Sequence, residues 1–399
     1  MKIVFLAPFG IRPKGTVIAR MIPLAAELQK LGHDVTIISP PYTNPEDSGV
    51  TEIVRGVRLV NVSLPNVGKA LGALPLAWRM FRAALAEKPD LVHLFKPKGY
   101  GGLAAMLLII LQRFGFRMPS LFVDTDDWEG KGGMNELHSY SLAEKRLFAF
   151  QEQWLSRHAA GMTVASRELE RLTTGLGVVS GKILYLPNCV EDVPPGDGVR
   201  IRLKLGIGAD TPVLLLYTRF FEFSQERLHT VMSGIFKRIP NVRFMVVGKG
   251  RHGEEELLLT AARENSFSDA LVMAGWVEPQ EIPDYLAAAD VAIYPLDDTL
   301  VNRAKCPAKL TEIIRAGLPV VADRVGQAAE YLRSDALGII NEKNSRIDRF
   351  IEQAFDLLQD KSKSVFVGAE GRSYLLIRFN WQSYAEKLSL FYANQGLLE

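Results

Sequence analysis

Apolar positions along this chain come in short runs, and the period changes between one run and the next. KIVFLAP, from Lys2, is a continuous apolar stretch of strand length. Beyond a loop holding Gly10 and Gly15 the spacing becomes helical. Ile18, Met21, Ile22, Ala25, Leu28 and Leu31 recur at three or four positions, and Gly32 stands where a helix ends. DVTIIS then reads as a second strand, which completes a βαβ unit. VRLVNVSL, DLVHLF, SLFVD, GMTVAS and KILYLPN supply further short strands between helical segments. Such alternation predicts an α/β fold, a mostly parallel sheet with helices on both faces.

The alternation breaks at LPNCVEDVPPGDG, where five prolines and glycines crowd a short stretch around Asn188. It resumes with VLLLYT, VRFMVVGKG, ALVMAG, DVAIYP and PVVAD, each separated by a helical pattern. We therefore expect two doubly wound, Rossmann-like domains, residues 1–187 and 188–379. An amphipathic helix within residues 380–399 is expected to pack back on the first. No sequence repeat of fixed period accompanies this architectural repetition.

Composition narrows the class. Of 399 residues, 48% are apolar and 23% charged, which describes a globular chain of about two domains. Cys189 and Cys306 are too few for a disulfide framework or a zinc site, which fits a reducing cytoplasm. The run GGLAAMLLIILQRFGF falls short of the ~20 apolar residues a membrane span needs, so a buried crossover helix is expected. MKIVFLAPFG reads as a strand rather than a signal peptide. The net charge is +2, yet between Arg55 and Arg117 ten cations meet only Glu87 and Asp90. That bias suits an anionic membrane surface or an acidic acceptor, and equally a solvated face. No nucleic-acid partner is indicated.

In doubly wound sheets, ligands bind beyond the carboxyl ends of the strands. Gly10, Gly15 and Thr16 follow the first strand and lead into a helix whose N–H groups can face an anion. Arg219 follows VLLLY, and Lys249 follows VRFMVVG. RAKCPAKLTEIIRAGLPVVAD begins just after DVAIYP, with Pro307 suited to a first helical turn and Gly317 to its end. Lys309 and Glu312 share one face of that helix, and Lys305 lies in the loop before it. These cations make a diphosphate-like anion site, with Glu312 one turn deeper to accept hydrogen bonds from vicinal hydroxyls. In LFVDTDDWEGKGG, Asp124, Asp126, Asp127 and Glu129 cluster behind a strand, where carboxylates can orient a sugar hydroxyl, act as a base or bind a divalent cation. Capping and solvation are the plainer use of such residues. His93, inside DLVHLF, reads as a packed strand residue.

These motifs together resemble a GT-B glycosyltransferase of family 4. GTVIARMIPLAAELQKLGHDVTIIS is similar to the family's opening loop, helix and strand, and LPNCVE to its entry into the second domain. YTRF, VVGKG, AGWVEPQEIPDYLAAADVAIYP and KLTEIIRAGLPVVA follow the family's donor-domain order. The resemblance implies two Rossmann-like domains facing across a cleft and a retaining transfer from a UDP- or GDP-sugar to a hydroxyl acceptor. It implies Arg219 and Lys309 at the diphosphate, Glu312 at the ribose, the backbone around Val277 at the base and Gly15 approaching the phosphates. Asp126 falls where many relatives place a histidine at the donor sugar, and Asp127 stands beside it. A divalent metal is possible in the acidic cluster but not expected. The sequence departs from the family at Ala304, where relatives often keep a glutamate, and in FEFSQER, which lacks the usual lysine. A catalytically degenerate sugar-binding homologue is the main alternative, and a nucleotide-sugar epimerase a further one. The expected location is the cytoplasm, with a peripheral place on the inner membrane face as an extension.

Overall fold

A computed structural model describes residues 1–12, 15–334, 336–342 and 347–396. The chain forms two compact units. The first comprises Met1–Cys189, Arg303–Cys306 and Trp381–Glu399, and the second Val190–Asn302 and Pro307–Asn380.

The first unit holds strands β1 (Lys2–Leu6), β2 (Asp34–Ser39), β3 (Thr51–Val54), β4 (Val57–Asn61), β5 (Leu91–Phe95), β6 (Ser120–Thr125), β7 (Gly161–Val164) and β8 (Ile183–Tyr185). They lie in the order β3-β4-β2-β1-β5-β6-β7-β8. All neighbours are parallel except β3 and β4. Helices cover both faces of a parallel sheet, so every residue of β5 and four of the five in β1 are buried. The antiparallel edge pair departs from the expected single strand at VRLVNVSL. Arg55 and Gly56 both take positive φ, 53° and 81°, and so close a two-residue hairpin whose twist suits its strands.

GGLAAMLLIILQRFGF lies mostly in the helix Gly99–Arg113, and no helix among the described residues is long and apolar enough to cross a membrane. The helix Trp381–Gly396 belongs to the first unit and packs against its sheet. The Tyr392 hydroxyl lies 2.6 Å from Nδ1 of His93, and the Phe391 and Tyr392 rings meet Phe122 edge-on. Gly161 permits that approach, because a Cβ there would stand 2.8 Å from the Phe391 ring. In the opening helix, Pro23 cannot donate to the preceding turn, and a π-helical turn, Val17–Met21, runs into Ile22–Lys30.

The second unit holds β9 (Val213–Tyr217), β10 (Arg243–Val247), β11 (Leu271–Gly275), β12 (Val291–Tyr294), β13 (Val320–Asp323) and β14 (Ile339–Asn341), in the order β11-β10-β9-β12-β13-β14. Every pair is parallel. In each sheet the order reverses at a switch point, between β1 and β5 in the first and between β9 and β12 in the second. Loops diverge there and leave a crevice at the carboxyl edge.

Candidate active site

In the second unit the switch point brings together the end of β9 and the helix Ala308–Arg315. Arg219 follows β9 and is exposed, while Thr218 and Phe220 on either side are buried. Phe220 takes φ +65°, and its N–H donates to the Thr218 hydroxyl at 2.8 Å. The strained backbone is held by the buried phenyl ring and leaves the guanidinium at the strand end facing solvent. Lys309 places its ammonium 4.5 Å from the centre of the Tyr217 ring. Burial pushes the Tyr217 hydroxyl up, and a hydrogen bond to the nearby Glu312 carboxylate pushes it further. Tyr217, Lys309 and Glu312 thus form one cluster beside Arg219. Pro307 caps the helix, and Thr311 N–H donates to its carbonyl, so the first turn directs its N–H groups toward the same edge.

The other residues of this unit serve differently. Lys249 is exposed beyond β10, but the N–H groups of that loop already have acceptors: Gly250 donates to Glu255, and Arg251 and His252 donate to Glu254. Carboxylates fill the anion-holding position there, so Lys249 offers only its side chain. Val277 is buried just past β11. Arg227, the first cation after Arg219 in FEFSQER, donates to Asp323 at 2.7 Å and to Asp297 at 3.3 Å. It braces the framework.

Lys305 and Ala304 fall in the segment that belongs to the first unit. Lys305 is buried, and Ala304 has no exposed surface. The Ser166 hydroxyl donates to the Ala304 carbonyl at 2.5 Å, and Asn188 donates its side-chain amide to the Cys306 carbonyl at 2.8 Å. Lys305 is therefore grouped apart from Lys309, although only four positions separate them.

The first unit gathers its polar residues beyond β1, β5 and β6. Lys96, just past β5, takes φ +58° and is buried. Its ammonium lies 2.8 Å from Asp126, 2.5 Å from Asp127 and 3.7 Å from Glu129, while Lys98 sits 2.8 Å from Glu129. The Thr16 hydroxyl donates to Asp126 at 3.1 Å. Gly15 accepts from Ala19 N–H in the first helical turn. Burial opposes an ionised Asp126, but Lys96, Arg20 and the Thr16 hydrogen bond outweigh it and hold this carboxyl below its ordinary range. Burial instead pushes Asp127 up, with Asp126 and Glu129 adding to it against Lys96. Two neighbouring carboxyls are thereby driven apart, one firmly ionised and one more readily protonated. Among the described residues no group of three or more His, Cys, Asp or Glu is arranged to hold a metal ion. The carboxylates of this cluster face lysines.

Beneath lies a second network. Arg20, with 1% of its surface exposed, forks onto Asp124 at 2.6 and 2.8 Å and reaches the Leu186 carbonyl and Asn188. Burial pushes Asp124 up, while Arg20 and the Thr163 hydroxyl pull it back. Thr163 and Tyr392 contact the two nitrogens of His93, and burial lowers that imidazole to about 3, so it is neutral and structural.

Residue types alone left Lys96 and Tyr217 unnoticed. Both stand at the carboxyl ends of apolar runs, DLVHLF and VLLLY, and that position was the available signal.

Comparison with known proteins identifies the family and the fold. Residues 15–189 match the glycosyl transferase 4-like domain, and residues 211–360 match the glycosyl transferases group 1 domain. The chain belongs to the GT-B glycosyltransferases. Sucrose-phosphate synthase from Thermosynechococcus elongatus superposes on this glycosyltransferase with TM-score 0.75 at 17% identity, over 100% of both chains. HepE of Anabaena, solved with UDP and glucose, gives 0.72 at 17% identity over 99% of this chain and 100% of its own. A GDP-mannose-dependent alpha-(1-6)-phosphatidylinositol monomannoside mannosyltransferase of Mycobacterium tuberculosis is 26% identical over 234 residues, 57% of this chain and 60% of that one. A GDP-mannose-dependent monoacylated alpha-(1-6)-phosphatidylinositol monomannoside mannosyltransferase of Corynebacterium glutamicum is 28% identical over 51% of this chain and 54% of its own. The matched part spans little more than half the length of these curated relatives.

Proposed function

We propose that this glycosyltransferase moves a sugar, with retention of anomeric configuration, from a nucleotide-diphospho-sugar to a hydroxyl acceptor. The observation that supports this best is the cluster of Tyr217, Lys309 and Glu312 beside the exposed Arg219, at the switch point of the second unit. Arg219 and Lys309 meet the diphosphate, aided by the N–H groups of the helix Ala308–Arg315. Lys249 adds a side-chain cation. Glu312, held by Tyr217, accepts the ribose hydroxyls, and the base lies along the backbone at Val277. In the first unit Gly15 and Thr16 approach the donor phosphates, and Asp126, kept ionised by Lys96, orients the donor sugar. Asp127 is the carboxyl suited to exchange a proton. Rate enhancement comes from positioning and from stabilising the departing diphosphate.

The mannosyltransferase relatives make GDP-mannose the first donor to test and a membrane lipid the first acceptor class. A lipid acceptor also fits the helix Lys69–Ala86, which buries Leu76, Met80 and Phe81 on one face. Its opposite face exposes Leu71 (79%), Leu74 (72%) and Trp78 (50%), near Arg79 and Arg82. We read that face as the contact with an anionic membrane surface.

Calorimetry of GDP and UDP, with nucleoside diphosphate release from GDP-mannose and UDP-glucose, tests the donor assignment. Arg219→Ala and Glu312→Ala should each weaken nucleotide affinity by about tenfold or more. Wild-type affinity in both variants removes the assignment. Tight binding with no release from any donor favours the degenerate homologue, for which Ala304 is the motivating departure. NMR of the product's anomeric proton decides retention.

A further inference from the structure

Glu222 is a buried acid that the donor assignment leaves unused. It lies in the turn between β9 and the helix Gln225–Arg238, just beyond Arg219, and keeps 5% of its surface exposed. Burying a carboxylate costs free energy unless its surroundings engage it. Here the buried Thr218 hydroxyl donates to Glu222 at 3.3 Å and accepts the Phe220 N–H at 2.8 Å. Arg219 is the residue enclosed by this relay. Further ties fix the same turn. The Thr218 N–H donates to the Val247 carbonyl at 3.0 Å, and a Cβ on Gly248 would collide with the Thr218 carbonyl oxygen, so β10 presses directly on it. The Gln225 side-chain amide donates to the Phe220 carbonyl at 3.0 Å. From the loop after β12, on the other side of the switch point, Asp297 N–H and the Asn302 amide donate to the Glu222 carbonyl at 2.9 and 2.6 Å.

The turn needs these ties because Phe220 takes φ +65°, a conformation that a bulky residue abandons unless its neighbours enforce it. Arg219 is exposed, so no packing fixes its guanidinium. What the fold can fix is the direction of its Cα–Cβ bond, and that direction is set by the backbone on either side, at Thr218 and Phe220. Relaxation of Phe220 would turn the arginine away from the carboxyl edge of the sheet. We propose that Glu222, acting through the Thr218 hydroxyl, is a positioning residue that holds this backbone and so aims Arg219 at the donor diphosphate. The inference rests on the assignment of Arg219 to the diphosphate and names the groups that keep that cation in place.

Calorimetry on the full chain, with GDP and guanosine as probes (UDP and uridine where UDP is the nucleotide bound), tests it directly. Glu222→Leu and Thr218→Val should each weaken nucleoside diphosphate binding by about fivefold, the worth of one hydrogen bond. Nucleoside binding should stay at the wild-type value, which also shows that the variants are folded. Glu222→Gln and Thr218→Ser keep an acceptor and a hydroxyl, and should bind the diphosphate as wild type does. Because the relay acts through Arg219, Glu222→Leu added to Arg219→Ala should cost nothing further. Losses that add in full overturn the proposal, as does wild-type diphosphate affinity in both Glu222→Leu and Thr218→Val. A parallel loss of nucleoside binding overturns it too, because the turn then supports the fold rather than the cation. Failure of the underlying reading looks different: Arg219→Ala alone then binds the diphosphate as tightly as wild type.

Discussion

Arg20 and Glu152 show how strongly single buried groups govern the first unit. Arg20 forks onto Asp124 with almost no exposure to water. Removing one partner of such a pair leaves the other charge without compensation. Arg20→Met should therefore cost roughly 3–5 kcal/mol in a denaturant melt. Replacing both partners with apolar residues should cost less than the single change, and equal losses would show that the pair is not coupled. Glu152 is the opposite case. Burial and the nearby Glu129 raise its carboxyl to about 8, one oxygen accepts from Glu129 N–H, and the other has no partner among the described residues. Because the folded value lies above the unfolded one, the unfolded chain releases this proton first. The group destabilises the fold progressively as pH rises from about 4.5 to 8. Glu152→Gln should match wild type at pH 4.5 and exceed it by roughly 1–3 kcal/mol at pH 7.5. A difference that does not change with pH would rule out this titration.

Between elements, the decisive contacts join parts of the chain far apart in sequence. The helix Trp381–Gly396 docks on the first sheet through Phe391 and Tyr392, and Gly161 in β7 leaves room for the ring. Gly161→Val should push the helix off and lower stability by about 2–4 kcal/mol, with loss of amide protection concentrated in residues 381–396. Uniform loss across both units would contradict local undocking. The amphipathic pattern of that helix and the apolar runs of β1, β5, β9 and β12 were legible because burial on both faces leaves a continuous apolar signature. The hairpin of β3 and β4 was less so, since TEIV is short, half-exposed and carries a glutamate. The candidate site was legible as far as strand ends could be located, which singled out Arg219, Lys309 and Asp126 as candidates. Lys96 could not be paired by sequence, because its carboxylate partners lie about thirty residues on, and adjacency arises only once β5 and β6 align. Lys305 and Lys309 were grouped by proximity in the chain, and the boundary between the two units falls between them.

Across the whole molecule, structure redistributes the charge that the sequence seemed to concentrate. Of the ten cations between Arg55 and Arg117, Lys96 and Lys98 are sunk among Asp126, Asp127 and Glu129, and Arg58 pairs with Glu87. The basic stretch is therefore a weaker electrostatic surface than its count suggests, and the apolar stripe of Leu71, Leu74 and Trp78 must supply much of any membrane attachment. The two contributions separate by salt. Charge attraction fades within a Debye length of about 8 Å at physiological ionic strength, while burial of leucine and tryptophan does not. In flotation with anionic vesicles, wild type should bind more than to neutral ones and retain part of that binding at high salt. Leu74→Glu with Trp78→Ala should reduce binding by about tenfold at either salt concentration. Arg79→Gln with Arg82→Gln should reduce it only at low salt. Equal flotation of all three proteins would place attachment elsewhere, and absence of flotation by wild type would make the exposed stripe a surface for some other contact.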